Sequence, residues 1–174
     1  QKMFGENYVQ EALEKQKTVI GSLIEWHFIG HLQTNKVKFV VGEFELIHSV
    51  DRLDLFKEIN KRAKFKDVTQ KVLIEVNIAN EKSKSGIAPQ DLPNMMEQAA
   101  AFPRMKIEGL MCMPPLGQTE TVTRNYFAQT RVLGRKFNLS QLSMGTSDDF
   151  EWAVSEGATI LRLGTILFGA RSKK

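Results

Sequence analysis

The stretch LSMGTSDDFEWAVSEGATILRLGTILF, residues 142–168, decides the fold. It holds two short apolar runs, Leu142–Met144 and Ile160–Leu163, each followed at once by a glycine and then by helix-forming sequence. In the first, Gly145 lets the backbone turn, and Thr146, Ser147, Asp148 and Asp149 offer cap chemistry for a helix beginning near Phe150. In the second, Gly164 and Thr165 open a final short helical segment. Backbone N–H groups at a helix start have no intrahelical partner and carry the positive end of the dipole. Two such starts side by side therefore favour an anion such as a phosphate. Either loop alone reads more readily as an ordinary helix cap.

The same rhythm extends outward over the whole chain. Strand candidates end at Phe4, Ile29, Val50, Ile78, Met113, Met144 and Leu163. Helix candidates cover Tyr8–Lys17, Thr34–Val41, Asp51–Phe65, Pro89–Phe102, Thr119–Phe137, Phe150–Gly157 and the segment after Gly164. Pro89 suits a first helical turn, and Asp51 and Asp91 fall in first turns or caps. Lys71–Ile78 and Lys106–Met113 read as largely apolar runs, as parallel strands covered by helices should.

These seven βα units make an α/β chain one unit short of a (β/α)₈ TIM-type barrel, and the length is below the roughly 250 residues typical of that fold. Because the first strand is only the stub Lys2–Phe4, the first βα unit is the one expected to be lacking, at the N-terminus. An open doubly wound sheet needs a point where strand order reverses, and the even rhythm marks none. In a barrel all loops after strands meet on one face, so the last two become neighbours, a position where barrels frequently hold phosphate.

Composition narrows the class. The chain has 174 residues, 42% apolar and 25% charged, and reads as one domain over 1–174 with no linker or low-complexity tract. No apolar run approaches a membrane span. One cysteine, Cys112, cannot staple a fold and fits a reducing compartment, as a small apolar group in a strand. The net charge of +4 is spread among acids on helical segments such as Asp51–Lys66, without the dense basic block that nucleic-acid binding would require.

Six motifs carry a family resemblance. FGENYVQE (Phe4–Glu11), WHFIGHLQTNK (Trp26–Lys36), the stretch Asn77–Gly86 ending in EKSKSG, EGLMCMPP (Glu108–Pro115), SMGTSDD (Ser143–Asp149) and RLGTILFGAR (Arg162–Arg171) resemble, in order and over nearly all of the chain, the pyridoxal 5′-phosphate (PLP) homeostasis proteins. These are small barrels related to the N-terminal domain of alanine racemase. The resemblance implies that fold, PLP as ligand, a cytoplasmic setting, and binding, buffering and transfer of the cofactor rather than an established turnover reaction. PLP-dependent apo-enzymes are the implied recipients, and a monomer or weak dimer is expected.

Residue by residue, the resemblance matches Thr146 and Ser147 to one phosphate loop and Gly164 and Thr165 to the other. It matches Arg162 to an arginine facing the pyridine nitrogen and Asn7 to a residue near the cofactor ring. An arginine there keeps the ring nitrogen unprotonated and weakens the ring as an electron sink, so such a site holds PLP better than it uses it. The other reading of Arg162 is a strand arginine paired to a carboxylate. The family's Schiff-base lysine lies in a VSKT-like motif on the first barrel strand and is expected upstream of Gln1, since no such motif occurs here. The connection Gly134–Gln141 is shorter than is usual in the family, and Thr146 stands where methionine is common.

The remaining candidates have bland readings. His27 and His31 are four apart but straddle Gly30 at a strand end, so they do not share a helical face as a metal site would require, and no metal is expected. His48 reads as a satisfied core histidine. Lys82 and Lys84 follow a strand and could present an amine to an aldehyde, though the ordinary reading is a solvated loop lysine. A barrel enzyme acting on a phosphorylated metabolite is one alternative function, with Glu6 and Glu75 the nearest acid and base candidates. A PLP-dependent racemase is another, and this chain has no room for the second domain that supplies a racemase's catalytic tyrosine.

Overall fold

The structure is a computed structural model and describes residues 1–19, 23–81 and 83–169. Seven strands run through these residues: β1 (Met3–Glu6), β2 (Glu25–Phe28), β3 (Leu46–Val50), β4 (Gln70–Val76), β5 (Met105–Cys112), β6 (Gln141–Thr146) and β7 (Ile160–Arg162). They form one sheet in strict sequence order, each strand parallel to the next. The segments between them supply α1 (Val9–Thr18), α2 (Leu53–Phe65), α3 (Leu92–Ala99), α4 (Glu120–Lys136) and α5 (Phe150–Ser155), and α6 (Thr165–Phe168) follows β7. A strand order without reversal excludes the doubly wound alternative.

The sheet curls on itself. His48 on β3 is hydrogen-bonded to Ser143 on β6 at 2.9 Å, and Arg162 on β7 donates to the Cys112 carbonyl on β5 at 2.9 Å. Side chains three strands apart in a flat sheet would lie more than 10 Å apart, given about 4.8 Å per strand. The result is a nearly closed parallel barrel in which β1 and β7 are the edge strands and, among the described residues, do not pair with each other. Burial follows that geometry. All five residues of β3 are buried, whereas β7 is half-buried throughout and β1 alternates between exposed and half-buried.

The longer helices seal the outside by presenting an apolar stripe to the sheet. On α2, Leu55, Phe56, Ile59 and Ala63 recur at helical spacing and are completely buried, with Phe56 packed 6.1 Å from Phe102, centroid to centroid. Each such aliphatic or aromatic side chain contributes about 1.5–3 kcal/mol by leaving water.

Several boundaries differ from the sequence reading for local reasons. The expected helix Thr34–Val41 is a 3-10 segment over Thr34–Phe39, and an i, i+3 spacing turns Val37 and Val40 together into the core. The expected helix Pro89–Phe102 is a 3-10 turn, Pro89–Asp91, followed by α3, whose Pro93 fits only the first helical turn. Asp51 does not sit in the first turn of α2. Its carboxylate accepts from Arg52 Nη1 at 2.8 Å and from the Gly86 N–H at 3.3 Å, tying the loop after β3 to the loop after β4. The short connection after α4 is well packed, Gly134 lying so close to Leu142 that an added Cβ would fall 2.9 Å from its side chain. Among the described residues no helix is long and apolar enough to cross a membrane.

Candidate functional site

All strands point their carboxyl ends at one mouth of the barrel, and the sequence-predicted residues gather there. Gly145 is the penultimate residue of β6, and its φ of +92° and its hypothetical Cβ, 2.5 Å from that of Ala153, both require glycine. This turn delivers Ser147 beside the loop that follows β7. The Ser147 Oγ accepts hydrogen bonds from the Gly164 N–H and from the Ile166 N–H, each at 3.3 Å. The two glycine loops are therefore adjacent, and donors of the second converge on one oxygen presented by the first. Thr165 opens α6 between those two donors.

Thr146 is placed differently. Its N–H and its hydroxyl both donate to Asp149 Oδ1, at 2.6 and 3.0 Å, so the carboxylate turns back into the loop and makes no cap bond to α5.

Arg162 lies at the end of β7 with its guanidinium inside the barrel. Nη1 donates to Ser143 Oγ at 2.8 Å and Nη2 to the Cys112 carbonyl at 2.9 Å. Both acceptors are neutral, and among the described residues no carboxylate lies within ion-pair distance of it. Burial lowers its pKa from the usual arginine value. Asn7 follows β1 and lines a groove of about 560 Å³ with Tyr8, His31 and Lys36. Its backbone presses on Gly30, where a Cβ would lie 2.2 Å from the Asn7 carbonyl oxygen.

Of the two lysines read as possible amines, Lys82 lies outside the described residues. Lys84 is engaged, with Nζ 2.9 Å from Glu81 Oε1 and donating to the Pro114 carbonyl at 3.0 Å. It is a clasp between the loops after β4 and β5. Glu6, one of the two acids named from the sequence, pairs with Lys15 at 2.6 Å.

The other acid, Glu75, is buried on β4 and its pKa is pushed up to about 7, chiefly by burial and further by the nearby charge of Asp51, against an opposing pull from Arg162. Between about pH 4.5 and about pH 7 the folded state therefore keeps a proton that the unfolded chain has lost. Stability from this group is present at the acid end of that window and is lost as pH rises through it. Glu75→Gln should remove the dependence and raise stability at a pH of about 8 by at most about 3 kcal/mol. Thermal melts of both proteins across the window check this, and parallel curves would contradict it.

Sequence reasoning missed the polar thread through the barrel interior. His27, His48 and Ser143 are all buried, with His48 Nδ1 2.9 Å from Ser143 Oγ and His48 Nε2 3.0 Å from His27 Nδ1. The only signal was polar residues inside apolar runs, which does not say what they meet. His48 is satisfied as expected of a core histidine, and Cys112 is a buried thiol whose pKa burial pushes up to about 11, which keeps it unreactive. Among the described residues no three His, Cys, Asp or Glu side chains form a group that could hold a metal ion.

The chain has relatives of known family and structure. Residues 1–172 match the family described as alanine racemase, N-terminal domain. The chain is 48% identical over 176 residues to the pyridoxal phosphate homeostasis protein of Aquifex aeolicus, spanning 98% of this chain and 77% of the relative. The structure of PipY from Synechococcus elongatus with PLP bound superposes with a TM-score of 0.89 at 38% identity, over 97% of this chain and 82% of that one. An alanine racemase of Clostridium difficile in complex with cycloserine superposes with a TM-score of 0.80 at 13% identity, over 99% of this chain and 48% of that one, a likeness of fold alone.

Proposed function

Since this chain belongs to the pyridoxal phosphate homeostasis protein family, within the alanine racemase N-terminal domain class, we propose that residues 1–174 form one domain that binds PLP at the upper mouth of the barrel and carries the cofactor rather than turning over a substrate. The phosphate is assigned to Ser147, Gly164 and Thr165, with the adjoining Thr146 shaping the first loop through its bonds to Asp149, the pyridine nitrogen to Arg162, and the ring edge to Asn7. The observation that carries this reading is the Ser147 Oγ receiving two backbone N–H groups from the other loop. A single oxygen, presented by the first loop, already sits where the donors of the second converge, and a phosphate oxygen has the same acceptor chemistry.

The donor set suits PLP. Backbone N–H and hydroxyl groups take a phosphate dianion, and a buried guanidinium without a carboxylate partner suits a neutral ring nitrogen. PLP, when bound, supplies an aldehyde for amines and a ring that can accept electron density. This chain's residues orient it and limit that second property, since Arg162 donates hydrogen bonds and cannot accept a proton from the ring nitrogen. The amine for the aldehyde is assigned to a lysine preceding Gln1 on the family resemblance alone, and Lys84 is held by Glu81 and Pro114. Recipient apo-enzymes, a cytoplasmic setting and a monomeric or weakly dimeric state are proposed on the same resemblance.

Ser147→Ala should weaken PLP binding about tenfold, roughly 1.4 kcal/mol, because it removes one hydroxyl and leaves the backbone donors. Titration with PLP and with dephosphorylated pyridoxal is the test. Equal affinity of the unmodified protein for the two ligands would mean that these loops form no phosphate site.

A further inference from the structure

We infer that Ser143 and His48 are positioning residues for Arg162, and that His27, at the lower end of the barrel, is the proton-exchanging terminus of the chain of hydrogen bonds they form. This rests on the PLP-binding reading above and names control of the same site.

The inference follows from donor counting. A guanidinium can only donate, so Ser143 Oγ must accept from Arg162 Nη1. The Ser143 hydrogen is then best placed on His48 Nδ1, 2.9 Å away. His48 carries its own hydrogen on Nε2, facing His27 Nδ1 at 3.0 Å, which leaves the His27 hydrogen on Nε2. With the obligate donor Arg162 at one end, this is the arrangement of the two imidazole tautomers and the hydroxyl rotor in which every hydrogen between Arg162 and His27 has an acceptor. His27 lines a second cavity, of about 430 Å³, at the amino ends of the strands, opposite the mouth that carries the phosphate loops. The thread joins the two ends of the barrel.

Proton uptake at the lower end reverses the thread. A doubly protonated His27 presents Nδ1–H to His48, and two N–H groups cannot face each other. His48 must then carry its hydrogen on Nδ1, and Ser143 must accept from both His48 and Arg162 while its own hydrogen loses its acceptor. The balance is one proton gained by the pair of imidazoles. The charged groups facing His27 are Glu25 on β2, Glu45 ahead of β3, Lys71 on β4 and Glu108 on β5, while Arg162 on β7 and His27 itself face His48. Burial lowers the pKa of both histidines, further for His48, so both are neutral at neutral pH and the acid end of the range is where His27 gains its proton. The orientation of Arg162 is therefore held above the His27 pKa and loosened below it.

The test is PLP affinity of the full-length protein and its variants from about pH 7.5 to about pH 4.5, a span that extends well to the acid side of ordinary imidazole titration. The nitrogen-15 shift of the PLP ring, an indicator of its proton and of Arg162, is read in parallel, together with binding of inorganic phosphate. At the neutral end Ser143→Ala should lose about tenfold in PLP affinity and shift the ring nitrogen, and Ser143→Thr should restore both, since it keeps the hydroxyl. His27→Asn places a non-titrating oxygen where Nδ1 sits. It should keep neutral-pH affinity but lose less than the parent protein on acidification, by about threefold, the titration of the PLP phosphate being common to both. Identical pH profiles for the parent and His27→Asn, or an unchanged ring nitrogen in Ser143→Ala, overturn the inference while PLP binding stands. A parent protein that binds neither PLP nor phosphate overturns the function reading itself, and this inference with it.

Discussion

Replacing Gly164 with valine is expected to abolish measurable PLP binding while the protein stays folded. A Cβ built on Gly164 meets no protein atom within 4 Å, and its φ of −114° is not a conformation reserved for glycine. The added Cβ therefore displaces nothing in the fold, and the isopropyl group branches from open space. It does fill the open space beside a backbone N–H that already points at Ser147 Oγ. Hydrogen bonds to a charged group contribute about 1.5–3 kcal/mol each, so denying a phosphate two of them costs on the order of a hundredfold or more in affinity. Calorimetric titration with PLP alongside a thermal melt separates the two effects. An affinity within about fivefold of the parent protein would show that these donors are not the cradle.

Replacing Gly30 with alanine should have the opposite signature, a loss of stability first and of binding in consequence. The new methyl group would lie 2.2 Å from the Asn7 carbonyl oxygen and 2.8 Å from its carbonyl carbon and Cα, all backbone atoms that no rotamer change can move. The loop after β1 must then lift away from the loop after β2. Overpacking of this kind costs about 1–3 kcal/mol, and the higher figure applies where backbone is the obstacle. For a chain of this size that corresponds to a fall of roughly 6–12 °C in Tm. Because Asn7 is carried on the displaced loop, PLP affinity should fall as well, whereas inorganic phosphate, held on the far loops, should bind as before. A melting temperature unchanged by the substitution would mean that the close approach is not enforced.

The architecture was legible in the amino-acid sequence because its signals are local. Apolar runs such as Leu142–Met144 and Ile160–Leu163, each closed by a glycine, mark strand ends without reference to anything distant, and seven of them in even rhythm imply seven parallel neighbours. Boundaries were less legible where local and tertiary demands compete. Thr34–Phe39 forms a 3-10 segment because that spacing buries Val37 and Val40, and Asp51 abandons a cap role because the Gly86 N–H and Arg52 lie within reach.

The identity of the upper-face residues also came from sequence, through motifs that name Asn7, Ser147, Arg162 and Gly164 one at a time. Their mutual arrangement did not. That Thr146 spends its N–H on Asp149, that Ser147 bridges to Gly164 and Ile166, and that Lys84 clasps Pro114 depend on which loops the curl of the sheet makes adjacent. The thread from His27 through His48 and Ser143 to Arg162 is the extreme case, spanning β2, β3, β6 and β7. Residues 27 and 162 carry no periodic relation to each other. Strand formation is decided by a few neighbouring side chains, so the sequence by itself determined the seven βα units and the loops that end them. Which polar groups meet inside is decided by barrel curvature and strand register, which belong to the packing of the whole chain, and only the tertiary structure could determine it.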